Sequence, residues 1–154
     1  MLEPVWQQLD PKNARHLVEA GIPCVKRMGL KVIVMEPRRV ELLMPLKGNE
    51  NHIGIMYAGA LFAVAEIPGG ALHLTTFDVS RYVPVIKHMD IRFRRPAATD
   101  VTIAVELSQE EVDRVNRELE AQGKSDFVLH GEVKDADGNV VAVTVATYQA
   151  RRMA

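Results

Sequence analysis

The segment NHIGIMYAGALFAVAEIPGG, residues 51–70, constrains the fold more than any other part of the chain. It is long enough for a helix, rich in Ala, and apolar nearly all the way round, which is typical of a helix enclosed by other structure. Glu66 is the only charged residue between Ile53 and Ile67. A carboxylate is costly in such surroundings unless it is paired or does chemistry, so Glu66 is a candidate functional residue.

Alternating apolar and polar residues on both sides of this helix predict β-strands. We expect the helix to end or kink at the Pro-Gly-Gly of residues 68–70, with a strand following directly. Because strands outnumber helices and the apolar helix must be covered, the pattern predicts an α+β architecture in which a sheet curls around it. The strand candidates are KVIVME, RVELLMPL, ALHLTTFDVS, VPVIKHMDIRFRRPA, VTIAVEL, FVLHGEVKD and VVAVTVATYQA.

Two further helices are predicted within what we interpret as one domain over residues 1–154. DPKNARHLVEAG predicts a short helix at about residues 10–20, with Asp10 as its cap. SQEEVDRVNRELEAQG predicts an inserted surface helix at about residues 108–122, because it begins with an S-x-x-E capping box and one face is charged.

Composition excludes several classes of function. The net charge of −1 creates no global field that would recruit nucleic acid or anionic lipid. A single cysteine excludes an intrachain disulfide framework and a cysteine zinc cluster. The N-terminus has no signal-peptide pattern, and the longest apolar run, residues 53–65, is too short to span a bilayer. We therefore expect a cytoplasmic protein with no metal or other cofactor, no nucleic-acid partner and no membrane span.

The order of elements and the central segment together resemble the hotdog-fold thioesterases. A common pattern in that superfamily is an Asn, then His-Gly-Gly six residues later, then an acidic residue nine after the His. Asn51, the triplet Tyr57-Ala58-Gly59 and Glu66 occupy those positions here. The run IRFRRPA followed by TDVTIAVEL is also similar. The inserted helix is similar to that of uncharacterised thioesterases related to the C-terminal domain of the YiiD acetyltransferase.

The resemblance implies a hotdog fold, in which a curved antiparallel sheet wraps a central helix. It also implies a homodimer or a dimer of dimers, and an acyl thioester of coenzyme A or of acyl carrier protein as the substrate. In relatives the His helps to shape the site, while backbone amides beside it polarise the thioester carbonyl. Tyr57 replaces that His and Ala58 replaces the first Gly. A backbone donor survives a side-chain change, so the oxyanion role can persist.

The catalytic hypothesis begins at the start of the helix, which presents free N–H groups and partial positive charge. Ala58 and Gly59 are small enough for a thioester to approach these amides. Glu66 lies seven residues beyond Gly59, about 10 Å along the axis, so it cannot reach a carbonyl held at its own helix start. A second subunit with an antiparallel helix would bring the two groups together. Glu66 would then act as a nucleophile or as a general base, and the sequence leaves both open.

Other candidate residues surround this arrangement. Asn51 could orient substrate or water, with loop capping as the alternative. Tyr57 is expected to pack or to make one hydrogen bond at the mouth of the pocket. His52 could line the site or be merely exposed. A basic cluster could bind the phosphates of the coenzyme A tail, with ordinary solubilising charge as the alternative. The cluster consists of Arg92, Arg94 and Arg95.

Two other functions are compatible with the same residues. Tyr57 in place of His favours a non-catalytic module that binds acyl thioesters. A hydratase or dehydratase acting on an enoyl-CoA would need a His paired with a carboxylate, and only His52 is near Glu66 in the sequence. For Glu66 itself, the alternative is a structural carboxylate bound by backbone donors or by an arginine across the dimer.

Overall fold

The structure, a computed structural model, describes residues 11–153. A 3-10 turn at Pro11–Asn13 precedes the first helix, and Asp10, its expected cap, lies outside the described residues. In chain order the elements are α1 (Ala14–Ala20), α2 (Pro23–Met28), β1 (Lys31–Glu36), β2 (Arg39–Met44), α3 (Ala58–Thr76), β3 (Tyr82–Phe93), β4 (Val101–Glu106), α4 (Gln109–Gln122), β5 (Lys124–Lys134) and β6 (Val140–Arg152).

The strands form one sheet in the order β1-β2-β4-β5-β6-β3, and every neighbouring pair is antiparallel. Helix α3 contacts all of these strands. Helix α3 lies along one face of the sheet, and the sheet curves around it so that all six strands contact this one helix. The predicted α+β architecture, with a curved antiparallel sheet around a central helix, is confirmed.

Alternate residues of neighbouring strands point towards α3 and fill the space between helix and sheet. In the β2–β4 register, Leu42 lies opposite Ile103 and Met44 lies opposite Val101, and all of these side chains are buried. Paired residues of an antiparallel sheet share a face, so the apolar alternation in the sequence assigns one face of each strand to the core.

Two hairpins, β1–β2 and β5–β6, join strands that follow each other in the chain, and the first one contacts α3. In the β1–β2 turn, Arg38 adopts a left-handed conformation with φ of 68°. Its backbone N–H donates to the Thr76 hydroxyl at 3.0 Å, which ties the turn to the end of α3. In the β5–β6 turn, Gly138 has φ of 83°, a conformation that favours glycine.

Helix α3 is longer than the sequence pattern predicted. Pro68 lies inside it, and the helix continues to Thr76. The expectation of a strand over residues 71–80 was therefore wrong, because residues 71–76 are helical and the next strand begins only at Tyr82. The alternation there is equally compatible with a buried helix, and Ala71, Leu72 and His73 are indeed buried. Burial of this second half offsets the hydrogen bond that Pro68 cannot make.

At its observed length, α3 is long and apolar enough to be compared with a helix that spans a membrane. Among the helices of residues 11–153, α3 meets the length and hydropathy of a bilayer-crossing segment, whereas the apolar run read from the sequence was expected to be too short. Of the apolar stretch, 56% is buried inside the protein. Core helices of globular proteins meet the same two criteria.

The surface helix α4 begins after Ser108, whose hydroxyl accepts a hydrogen bond from the Glu111 N–H at 3.1 Å. Only this one of the two hydrogen bonds of the predicted capping box forms, because the Glu111 carboxylate pairs with Arg114 instead.

Helix α2 was not predicted, although the sequence carried its signals. Pro23 occupies the first helical position, and Gly29 follows the end with φ of 75°.

Acid is expected to destabilise the protein through His73, which is fully buried in α3. Its Nε2 lies 3.0 Å from the Tyr82 carbonyl oxygen, and burial lowers the pKa of His73 to about 4 from an ordinary value of 6.5. The unfolded chain takes up this proton at higher pH than the folded protein, so the stabilisation is complete above pH 6.5 and declines as the pH falls towards 4. Between pH 7.5 and 5 we expect a loss of about 2 kcal/mol.

Urea denaturation of wild-type protein and of His73→Gln, at matched protein concentrations, measures this effect. Gln cannot titrate but can still donate to the carbonyl, so the difference in unfolding free energy between the two proteins should shrink as the pH falls. A difference that stays constant from pH 7.5 to 5 would show that His73 does not contribute to acid sensitivity.

Candidate active site

Two backbone donors are free at the first turn of α3. Tyr57 is the extended residue before the helix, and its N–H donates to the Asn49 carbonyl at 2.8 Å. The next helix bonds come from Ala60 and Leu61, which donate to the Tyr57 carbonyl. Within residues 11–153 nothing accepts a hydrogen bond from the amides of Ala58 and Gly59, which lie between Tyr57 and Ala60. These amides, at positions 58 and 59, lie at the positive end of the helix dipole.

The aromatic ring of Tyr57 lies over Gly59. A Cβ atom added at Gly59 would be 2.3 Å from Tyr57 Cε1, so only glycine fits beneath the ring. Tyr57 is itself 57% exposed. Tyr57 therefore covers one side of the free amides while it remains open to solvent, in keeping with a place at the mouth of a pocket.

The loop before α3 is organised by two asparagines with different roles. The Asn51 side-chain oxygen accepts the N–H groups of Ile53 and Ile55 at 3.0 and 3.3 Å, so loop capping, the alternative expected for Asn51, does occur. Its side-chain NH2 has no acceptor among the described residues and stays available as a donor. His52, next to it, is exposed.

Asn49 was missed by the sequence analysis. It is buried, and its side-chain NH2 donates to the carbonyl oxygens of Met28 and Pro45, both at 2.8 Å. Its own carbonyl holds the Tyr57 N–H. Asn49 thus fixes where α3 begins. No sequence signal distinguished it from its neighbours in the polar loop LKGNENH.

Glu66 is half-buried on the side of α3 that the sheet leaves open. Burial raises the pKa of its carboxyl group above the usual range. Within the part of the chain that the structure describes, no donor or cation binds the carboxylate, so the structural alternative of backbone donors finds no support inside one chain. An unpaired, partly desolvated carboxylate is a stronger base than an exposed one.

Glu66 and the free amides share one stripe of the helix surface. The stripe consists of residues that the sheet does not cover, spaced by three, four or seven positions, which is the spacing of one helix face. Seven residues separate Gly59 from Glu66, or about 10 Å along the axis. Within a single chain the two groups therefore do not converge on one reacting atom. The stripe members are Gly59, Phe62, Ala63, Glu66 and Gly70.

An exposed apolar surface lies beside this stripe. Strand β3 is at the edge of the sheet, and its register with β6 points Ile86 and Phe93 to the same side as α3. Ile86, Phe93 and Phe62 are 39%, 51% and 44% exposed. Apolar side chains next to the unpaired backbone groups of an edge strand are typical of an interface with another chain.

The arginine cluster lies elsewhere. The β3 register pairs Arg92 with Val143 on the sheet face opposite α3, and Arg92 and Arg94 both line a depression of about 930 Å³ on that face. Arg92 also contacts Asp90 at 3.4 Å. Arg95 is exposed after the strand ends. The structure thus brings Arg92 and Arg94 together, but it does not bring them to Glu66 within one chain.

No group of three His, Cys, Asp or Glu side chains within residues 11–153 is arranged to hold a metal ion. The groups that the open side of α3 presents are amide donors and one carboxylate. Such donors stabilise negative charge that develops on a carbonyl oxygen, and a carboxylate activates water or attacks the carbonyl carbon.

The sheet wrapped around α3 is the hotdog fold, and it is shared with proteins whose structures are solved. A Pseudomonas aeruginosa protein of unknown function, described as a probable thioesterase, is 48% identical, with a TM-score of 0.88 over 94% of this chain and 97% of that one. A Chlorobaculum tepidum protein of unknown function is 16% identical, with a TM-score of 0.80 over 92% and 94% of the two chains. A Haemophilus influenzae thioesterase is 16% identical, with a TM-score of 0.71 over 94% and 92%.

Residues 12–149 match the domain of unknown function DUF4442, and the chain belongs to that family. Among curated proteins, none matches the chain. The superfamily inferred from the residues of α3 is therefore confirmed, and the family itself carries no assigned function.

Proposed function

We propose that this protein is a thioesterase that hydrolyses acyl thioesters of coenzyme A or of an acyl carrier, at sites shared between two copies of the chain. The observation that carries the proposal is the open stripe of α3, where free amides at Ala58 and Gly59 and the unpaired Glu66 face outwards together. The 48% identical protein described as a probable thioesterase supports it.

The amides and the carboxylate act at different points of the reaction. In the proposed mechanism, the amides of Ala58 and Gly59 donate to the thioester carbonyl and stabilise the negative charge of the tetrahedral intermediate. Glu66 of the partner subunit takes a proton from water as the water oxygen attacks the carbonyl carbon. Collapse of the intermediate breaks the carbon–sulfur bond, and the thiolate receives that proton. The products are a carboxylic acid and a thiol.

The nucleophilic route remains the alternative for the same residue. There the Glu66 carboxylate attacks the carbonyl carbon directly, expels the thiolate and forms a mixed anhydride, which water then hydrolyses. The raised pKa favours the general-base route, because a carboxylate with a higher proton affinity abstracts a proton from water more readily.

Within one chain, about 10 Å along the helix axis separates Glu66 from the free amides, and the proposed dimer would bring the two kinds of group together from different chains. Two α3 helices packed antiparallel would each place Glu66 beside the free amides of the other. The exposed side chains of Phe62, Ile86 and Phe93 supply the apolar contact for this packing, and edge strand β3 offers unpaired backbone groups to its copy. Each dimer would then hold two equivalent sites.

Phosphate contacts to the coenzyme A tail stay a prediction for the basic cluster. Arg92 and Arg94 face away from α3, so they could reach a tail only from the outer side of the sheet. Arg95, beyond the end of β3, is not tied to that face. Asn51, through its free NH2 group, and His52 remain proposed contacts near the amides.

Hydrolysis of a panel of acyl-CoAs, followed with a thiol reagent, tests the function, and sedimentation of the same protein tests the dimer. Thiol release by wild-type protein and its loss in Glu66→Ala would support the enzyme. Saturable binding without thiol release would favour the binding module, for which Tyr57 over Gly59 is the specific observation. Hydration of an enoyl-CoA would favour the hydratase, and a monomer would contradict the shared site.

A further inference from the structure

A hydrogen bond joins the sheet to the turn of α3 that carries Glu66. Tyr148 on β6 is 2% exposed, and its hydroxyl donates to the Glu66 backbone carbonyl oxygen at 2.7 Å. Carbonyls inside a helix normally accept from an amide four residues later, not from a side chain of another element. Burial, with the nearby Glu66 charge, raises the pKa of Tyr148, so the hydroxyl keeps its proton and stays a donor.

Tyr148 can approach α3 this closely because of Gly69. A Cβ atom at Gly69 would lie 2.0 Å from Tyr148 Cε1, which no real packing allows. The adjacent Gly70 is different, since a Cβ there would meet nothing within 4 Å. Of the two glycines in the sequence pattern, it is therefore Gly69 that makes room for the tyrosine ring.

Pro68 weakens the same turn of the helix from within. It has no N–H, so it cannot donate to the carbonyl of Val64, and a proline ring pushes against that carbonyl. Glu66 lies midway between Val64 and Pro68. The turn that carries the carboxylate therefore lacks one of its own hydrogen bonds and gains one from the sheet.

Aromatic packing holds Tyr148 in place on the sheet side. Its ring stacks on Phe127 with centroids 5.5 Å apart and an interplanar angle of 18°. Phe127 in turn contacts Phe77, the residue directly after α3, with centroids also 5.5 Å apart. These packed aromatic rings connect both the turn that carries Glu66 and the end of α3 to strands β5 and β6.

We infer that Tyr148 is a positioning residue for Glu66, whose hydroxyl holds the Pro68-weakened turn at a fixed place against the sheet and so sets where the carboxylate points. The inference rests on the proposed thioesterase function. A carboxylate that must meet a carbonyl held by another subunit tolerates little displacement, because rates fall steeply when reacting groups are misplaced by about 1 Å.

Tyr148→Phe tests the role, since it removes only the hydroxyl and keeps the ring in its stack. Tyr82→Phe is the matched control, because Tyr82 is also buried and its hydroxyl has no partner among the described residues. We expect kcat to fall about tenfold in Tyr148→Phe with KM within about twofold, and Tyr82→Phe to keep both constants near wild type. An equal loss in both variants would overturn the positioning role.

Hydrogen exchange of the folded protein gives a readout that does not depend on activity. Amides of residues 66, 67 and 69–72 should exchange about tenfold faster in Tyr148→Phe, while those of residues 61–64 keep their rates. Unchanged exchange, or a uniform increase along α3, would overturn the inference. Wild-type protein without thiol release would instead overturn the proposed function, so the two failures are distinguishable.

Discussion

Replacing Glu66 with Gln is expected to lower kcat for thioester hydrolysis about 10³-fold, because the amide cannot take a proton from water or attack the carbonyl. Gln keeps the size and polarity of the side chain, and no described residue pairs with the carboxylate, so folding should be preserved. Thiol release under saturating substrate measures the effect. Glu106→Gln, an exposed residue on β4, is a matched control that should keep wild-type kcat.

The pH profile of wild-type enzyme provides a second measurement of the same residue. The proposed mechanism requires the charged form of Glu66, and burial raises the pKa of Glu66 above its ordinary value of 4.5. The acidic limb of kcat should therefore lie above that value, with activity falling as the pH decreases. Glu66→Gln should lose this limb. A variant that retains both the limb and more than a tenth of the wild-type kcat would show that another group is the base.

Ala58→Pro is expected to lower kcat about 10²-fold or more, because it deletes one of the two amide donors. The site tolerates proline, since Ala58 is the first residue of α3 and Tyr57 before it is extended, with ψ of 136°. Ala58→Gly keeps the amide and serves as the control. Wild-type kcat in Ala58→Pro would show that this donor does not contact the developing charge.

Combining the two defective chains tests whether the site is shared. A heterodimer of Ala58→Pro and Glu66→Gln, isolated with two affinity tags, contains one site with both defects and one site with intact amides and an intact carboxylate. It should recover about half of the wild-type kcat per dimer, although each parent homodimer is nearly inactive. A heterodimer no more active than its parents would place the whole site within one chain.

The fold could be predicted from the sequence to a large extent, because its signals are local. The near-complete apolarity of residues 53–67 required a covered helix, and the period-two alternation assigned one face of the strands to the core. The same local signals misled at Pro68, where a helix breaker met a second buried half. Whether a proline ends a helix depends on how much packing lies beyond it, and that is a tertiary quantity.

The sequence alone determined the identity of the candidate groups: one carboxylate in an apolar helix, small residues at the helix start, and a likeness to the hotdog superfamily. Only the tertiary structure decided that Glu66 has no partner within the described chain and that Arg92 and Arg94 face away from it. It also revealed Asn49 at the start of α3 and Tyr148 on the Glu66 carbonyl. These contacts join residues up to 82 positions apart, and local patterns carry no information about such distances.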